Sequence, residues 1–271
     1  MRLRPAAICV LALAAVLVGC GGSQGARAVS EPAALAAEID SAQATIDDSS
    51  ASAVSVAKAS RAQQLALEEL AEHRRLRLPT LTQLSAPART ATAAALRAGD
   101  ELGRILPAEH RFPRWRILSP PPPSVLLRYF EQAQARYGVA WRYLAAIELV
   151  ETRMGRIHGR SPAGARGPMQ FMPATWAEYG QGSIESPHDS IMAAARFLAA
   201  NGGRGDIGEA LLHYNPSHSY VVAVESYARE MRTNARAFYG YYNWQVFYRT
   251  AKGTFVLPVG YPRVRPQGLP G

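Results

Sequence analysis

Residues 148–176 hold two segments, Glu148-Leu149-Val150-Glu151-Thr152-Arg153-Met154-Gly155 and Gly167-Pro168-Met169-Gln170-Phe171-Met172-Pro173-Ala174-Thr175-Trp176. The first closes a helix spanning Val139 to Met154. A loop with Gly155, Gly159, Gly164 and Gly167 separates it from the second. At about 100° per residue, Ala140, Tyr143, Leu144, Ile147, Val150 and Met154 fall on one side of that helix, with Glu151 inside the same arc. Arg142 and Arg153 lie opposite, and Glu148 sits at the edge of the stripe. A carboxylate on a core-facing arc loses hydration, which disfavours its charged form and raises its pKa. Position alone leaves two readings open: a proton-donating acid, or a buried carboxylate paired with an arginine for structure.

Outward from this stretch the pattern stays helical. Ser124 is the expected cap of a helix ending at Gly138. Pro173 to Tyr179 starts a short helix, and Ser186 or Asp189 caps the next, through Ala200, which Asn201-Gly202-Gly203 stops. Gly208 to Tyr214 is helical, Pro216 interrupts, and Ser219 to Arg232 resumes. Residues 243–259 alternate as strands do around a turn at 250–253, a candidate hairpin. Upstream, Leu35, Ile39, Ala42 and Ile46 recur at helical spacing. Val54, Arg61, Leu65 and Leu76 suggest a second, weaker stripe. Pro87 to Leu106 reads as a further helix, with Leu96, Leu102 and Leu106 among its apolar positions. The fold class is mainly α, with a small C-terminal β-hairpin.

The chain opens as an export signal. Arg2 and Arg4 precede an apolar run from Ile8 to Val18 that is too short to span a bilayer comfortably. Leu17-Val18-Gly19-Cys20 then matches the bacterial lipobox, which makes Cys20 the expected lipidation site. The only other cysteine, Cys9, lies in the segment removed, which leaves no disulfide framework. The expected organisation is a signal peptide over 1–19, a flexible tether over 20–30 and a helical N-terminal spacer region over 31–119. Pro120 to Pro123 mark the start of a domain over 120–262, and 263–271 form a disordered tail. Basic residues outnumber acidic ones by 30 to 21. That excess suits an acidic glycan or anionic lipid, although an arginine-rich composition also follows from a GC-rich genome. Nucleic acid is not an expected partner, because there is no basic block and no recognition motif.

Three motifs, taken in order, resemble those of the lytic murein transglycosylases with the goose-lysozyme-like fold, closest to the membrane-bound B type and its actinobacterial relatives. They are Glu151-Thr152, the block Gly167-Pro168-Met169-Gln170 extended to Trp176, and Tyr214-Asn215 followed by Pro216-Ser217. Pro168 stands where Leu is commonest, and His213 where Ala is frequent. The resemblance covers about residues 125–240, together with the aromatic tail to Tyr261, and leaves out the first hundred residues. It implies cleavage of the β-1,4 bond between N-acetylmuramic acid and N-acetylglucosamine by one acid/base, Glu151, with a 1,6-anhydro ring formed on muramic acid. No metal and no cofactor are expected. It also implies that Gln170 meets an acetamido group, with Met169 and Phe171 beside it. Tyr214 would hold Glu151 or the charge developing at C1, Asn215 would orient backbone or substrate, and Ser161 would face the glycan.

The residues themselves support the one-carboxylate economy. Glu148, three positions from Glu151 on one helix, is a neighbour on a face and not a group across a sugar. Glu178, Glu185 and Asp189 remain as alternative second carboxylates, with Asp189 expected to cap a helix. Expected partners are peptidoglycan strands, with their lactyl-peptide carboxylates, and the membrane through Cys20. Cell-wall synthesis or division proteins could meet residues 31–118. The expected location is the outer face of the cell membrane, or the outer membrane of a two-membrane cell, facing the wall. Two other functions stay open: a hydrolytic muramidase and a non-catalytic wall-binding lipoprotein.

Overall fold

The computed structural model describes residues 30–106 and 108–269. The leader, Cys20 and residues 21–29 of the tether lie outside the described residues. Helix α1 (Pro32–Asp47) begins on a proline, where the missing N–H costs nothing. It buries Leu35, Ile39, Ala42 and Ile46, the expected face. Helix α2 (Ala53–Glu72) is capped by Ser52, whose side chain accepts from the Ser55 amide at 3.1 Å. Its inner face departs from the expected stripe. Val54 is 79% exposed and Arg61 faces solvent, while Val56, Gln63, Ala66, Leu67 and Leu70 are buried. The cause is paired polar burial. Gln63 donates to Gln43 of α1 at 2.7 Å, and Gln64 exchanges two hydrogen bonds with the Gln245 backbone at 3.0 and 2.8 Å. Satisfied amides are tolerated inside, so an apolar stripe alone misplaces this face.

A short helix α3 (Arg77–Leu81) leads to α4 (Ala86–Ile105), close to the expected span. Beyond the prolines come α5 (Pro123–Tyr137), α6 (Trp141–Thr152), α7 (Pro173–Tyr179), α8 (Pro187–Ala200), α9 (Ile207–Tyr214), α10 (His218–Thr233) and α11 (Ala237–Tyr242). Pro122, not Ser124, is the residue before the first turn of α5, because Pro123 is already set to a helical φ. Helix α4 lies along α10, and α6 runs between α5, α8, α10 and α11. Leu70, Ala98 and Leu102 belong to the same buried cluster as Leu144, Ile147, Tyr220 and Tyr227. The helices of the expected spacer region over 31–119 thus pack into the core that also holds α6. Among the described residues, no helix is long and apolar enough to cross a membrane.

Two small sheets complete the structure. Strand β1 (Arg116–Ile117) pairs antiparallel with β2 (Ile157–His158), setting Arg116 opposite His158. The expected hairpin is present as β3 (Val246–Thr250) and β4 (Gly253–Leu257). Strand β5 (Gln267–Gly268) pairs with β4, so this part of the expected disordered tail is an edge strand. A satellite core of Trp115, Ile117, Ile157, Val246, Tyr248, Leu257 and Tyr261 joins the two sheets. The C-terminal aromatics therefore serve largely as core.

Candidate active site

Helix α6 is buried on every side from Leu144 to Thr152. A helix enclosed all round sits in the middle of a bundle, and this one carries two carboxylates with it. Glu151 and Glu148 are both fully buried. Glu148 is therefore not at the edge of a stripe. Neither of its oxygens has a hydrogen-bond partner among the described residues, and burial raises it to about 8 against the opposing charge of Arg156. Arg153, expected on the solvent side, is also buried and lies over the Trp244 ring at 5.4 Å. Periodicity misread both because no face of α6 meets water.

The helix stops abruptly. Arg153, Met154 and Gly155 adopt φ of 53°, 56° and 76° in succession, and the Met154 amide returns to Glu148 O at 3.1 Å. Gln170 has φ 49°. Among the described residues, these two turns hold every non-glycine residue with positive φ. Such backbone costs of order 1–3 kcal/mol per residue and gathers where geometry is put to use.

Hydrogen bonds then join the motif segments. Thr152 Oγ1 donates to Pro168 O at 2.6 Å and accepts from the Gly155 amide at 3.1 Å. Tyr214 donates to Met169 O at 2.5 Å. Tyr220 donates to Glu151 Oε1 at 2.9 Å. The Tyr214 and Tyr220 rings stack, with centroids 6.4 Å apart and planes 10° apart. Burial first, then the Glu151 carboxylate, raises both phenols well above their ordinary value. Both are proton donors to oxygen at any ordinary pH.

The structure thus reassigns one role and adds one residue. Tyr214 holds the Met169 carbonyl, and Tyr220 is the tyrosine on Glu151. The sequence pattern missed Tyr220 because it follows the break at Pro216, in the first turn of α10 under the cap Ser217. The paired tyrosines across the run Tyr214-Asn215-Pro216-Ser217-His218-Ser219-Tyr220 were its only signal.

Gln170 is fully buried. Its amide donates to Gly167 O at 2.9 Å, and its Oε1 has no hydrogen-bond partner among the described residues. Met169 and Phe171 are fully buried too, and Phe171 packs on Tyr214 and Trp176. Asn215, the C-cap of α9, is buried. Ser161 Oγ accepts from the Ala165 amide at 2.9 Å, so its side chain braces its own loop. The alternative carboxylates lie at the surface: Glu178 is exposed, Glu185 stands 3.5 Å from Arg166, and Asp189 accepts from the Ser183 amide at 3.0 Å. Ser186, not Asp189, caps α8.

Comparison with known proteins meets this geometry at the same residues. Residues 128–236 match the family model described as the transglycosylase SLT domain. Over these residues the chain is thus similar to transglycosylase SLT domains. It is also similar to membrane-bound lytic murein transglycosylase F of Thiobacillus denitrificans, 36% identical over 74 residues. That match covers 27% of this chain and 16% of the relative's length. No solved structure matches the chain. The SLT match takes in α6, the glycine-rich loop, α9 and all but the start of α5, and it ends just beyond α10. It excludes α1 to α4, although they share the core.

Proposed function

We propose that the protein is an exported peptidoglycan lytic transglycosylase in which Glu151 is the single acid/base. The observation that carries this reading is the convergence of three motif segments on one fully buried carboxylate, with the positive-φ residues gathered beside it. The SLT match supports the reaction class. Glu151 donates its proton to the glycosidic oxygen as the C1–O bond breaks. The carboxylate then takes the proton of the muramic C6 hydroxyl, whose oxygen closes onto C1. The bond cut is the β-1,4 link between N-acetylmuramic acid and N-acetylglucosamine, and no water is consumed.

The surrounding residues serve this chemistry. A carboxyl stripped of hydration favours its protonated form, as a donor near neutral pH requires. Tyr220 orients it through Oε1. Gln170 Oε1, buried and able to accept, suits the N–H of an acetamido group. Lipidation at Cys20 would hold the enzyme on the membrane facing the wall.

Mass spectrometry of the muropeptides released from purified wall tests the reading. Products one water lighter than hydrolytic ones are expected. Unmodified reducing ends would mark a muramidase. Wall binding without release, unchanged by Glu151→Gln, would mark a scaffold.

A further inference from the structure

Strands β1 and β2 and the loop after them frame a concavity of about 500 Å³ lined by Arg114, Arg116, His158, Arg160, Arg166 and Glu185. Arg114, Arg116 and Arg160 are exposed. Glu185 is the one acid in the lining, and it stands at 3.5 Å from Arg166. Arg116 sits directly opposite His158 in the β1–β2 register. Burial first, and then the facing Arg116 guanidinium, lowers the His158 pKa, so the imidazole is the neutral member of the cluster and the arginines carry its charge.

The floor is built. Gly159 lies so close to Trp115 that a Cβ there would stand 2.6 Å from the indole, and Trp115 is buried between Arg114 and Arg116. The concavity is also continuous in chain with the candidate active site. Residues 153–156 link α6 to β2. At the other end of the loop, the Arg166 amide and carbonyl pair with Phe171, next to Gln170.

We propose that this concavity is a subsite for the carboxylates that wall glycan carries on its lactyl-peptide side, so that the enzyme selects strands by charge as well as by sugar. Planar guanidinium groups match a carboxylate with two parallel hydrogen bonds. Several of them around one concavity fit a chain that presents carboxylates at every second sugar. The proposal rests on the reading of wall glycan as substrate.

The test measures binding of the full-length Glu151→Gln protein, which separates affinity from turnover. Its probes are native strands, strands stripped of peptide to leave the lactyl carboxylate, and strands whose carboxylates are capped with a neutral amine. Binding to native strands about tenfold tighter than to capped strands is expected at low salt, with the preference shrinking as salt rises. Adding Arg114→Gln, Arg116→Gln and Arg160→Gln, all at exposed side chains, should make the protein bind the two alike. If the loss persists on stripped strands the lactyl carboxylate is the ligand, and if it needs intact strands the peptide carboxylates are. Equal binding to native and capped strands, or a triple variant that keeps the preference, would overturn the proposal. A protein that prefers native strands while the active form releases no anhydro product keeps this inference and loses the proposed reaction.

Discussion

At the scale of single residues, the two buried glutamates of α6 are told apart by their partners. Glu151 accepts a hydrogen bond from Tyr220, whereas Glu148 has burial without one. Glu151→Gln removes the transferable proton and is expected to lower anhydro-muropeptide release by about 10²–10⁴-fold, the usual share of general acid–base catalysis. Glu148→Gln is expected to keep most activity, because a carboxyl raised to about 8 is already neutral at pH 7 and an amide copies its shape. The same substitution has a signature in stability. A carboxyl raised on folding binds its proton more tightly in the folded state, so stability falls as pH climbs from the unfolded value near 4.5 toward 8. Thermal melts from pH 5 to 8 should show a smaller drop for Glu148→Gln than for the wild type. A residual drop should remain from Glu230 and Glu68, each raised to about 7 chiefly by burial. The stacked tyrosines separate in the same way. Tyr220→Phe withdraws a donor from the Glu151 carboxylate, which moves the alkaline limb of the rate profile to higher pH. Tyr214→Phe instead strands the buried Met169 carbonyl and costs about 1–3 kcal/mol of stability. Equal pH profiles for wild type and Tyr220→Phe would remove Tyr220 from the chemistry.

At the scale of elements, the joints between helices carry the site, and one glycine fixes the most crowded of them. At Gly167, φ is 74° and an added Cβ would stand 1.9 Å from the Ile184 carbonyl oxygen. At Gly164, φ is 96° and nothing lies within 4 Å. Gly167→Ala should therefore lose stability well beyond the backbone strain of about 1–3 kcal/mol that Gly164→Ala would show, with activity falling in step. Denaturant melts of the two variants check this. Such joints were also the legible part of the sequence. Pro173 places the start of α7, and the Asn201-Gly202-Gly203 stop the end of α8, to the residue, because proline and glycine restrict the backbone locally; the start of α8 was legible only as a choice between Ser186 and Asp189. Facing was legible for α1, which is wet on one side, and illegible for α6, which is not. It failed at α2, where Gln63 and Gln64 find partners in α1 and before β3 that no local pattern announces. Of the site, Glu151 and Gln170 stood out in sequence. Tyr220 did not, because its link to Glu151 exists only after α10 folds back on α6.

At the scale of the whole molecule, the SLT match and the cooperative unit have different boundaries. The family match begins in α5, yet α4 lies along α10, the helix that brings Tyr220 to Glu151. The Gln64–Gln245 pair and the bond from Arg236 Nε to Ile46 O at 3.0 Å fasten α2 and α1 to the C-terminal third. Cutting the chain at residue 120 would remove Leu35, Leu70, Leu96 and Leu102 from the core, each worth about 1.5–3 kcal/mol of burial. It would also bare the face of α10 that α4 covers. That loss is comparable with the whole stability of a domain, about 5–15 kcal/mol. The fragment 120–271 is therefore expected to melt without a cooperative transition and to release little anhydro product. The chain from residue 30 should unfold in one step. Adding residues 30–106 as a separate polypeptide should restore part of the activity, because the missing surface is apolar and shaped by α10. A fragment 120–271 that melts cooperatively and cuts wall at the full rate would return α1 to α4 to the role of a spacer.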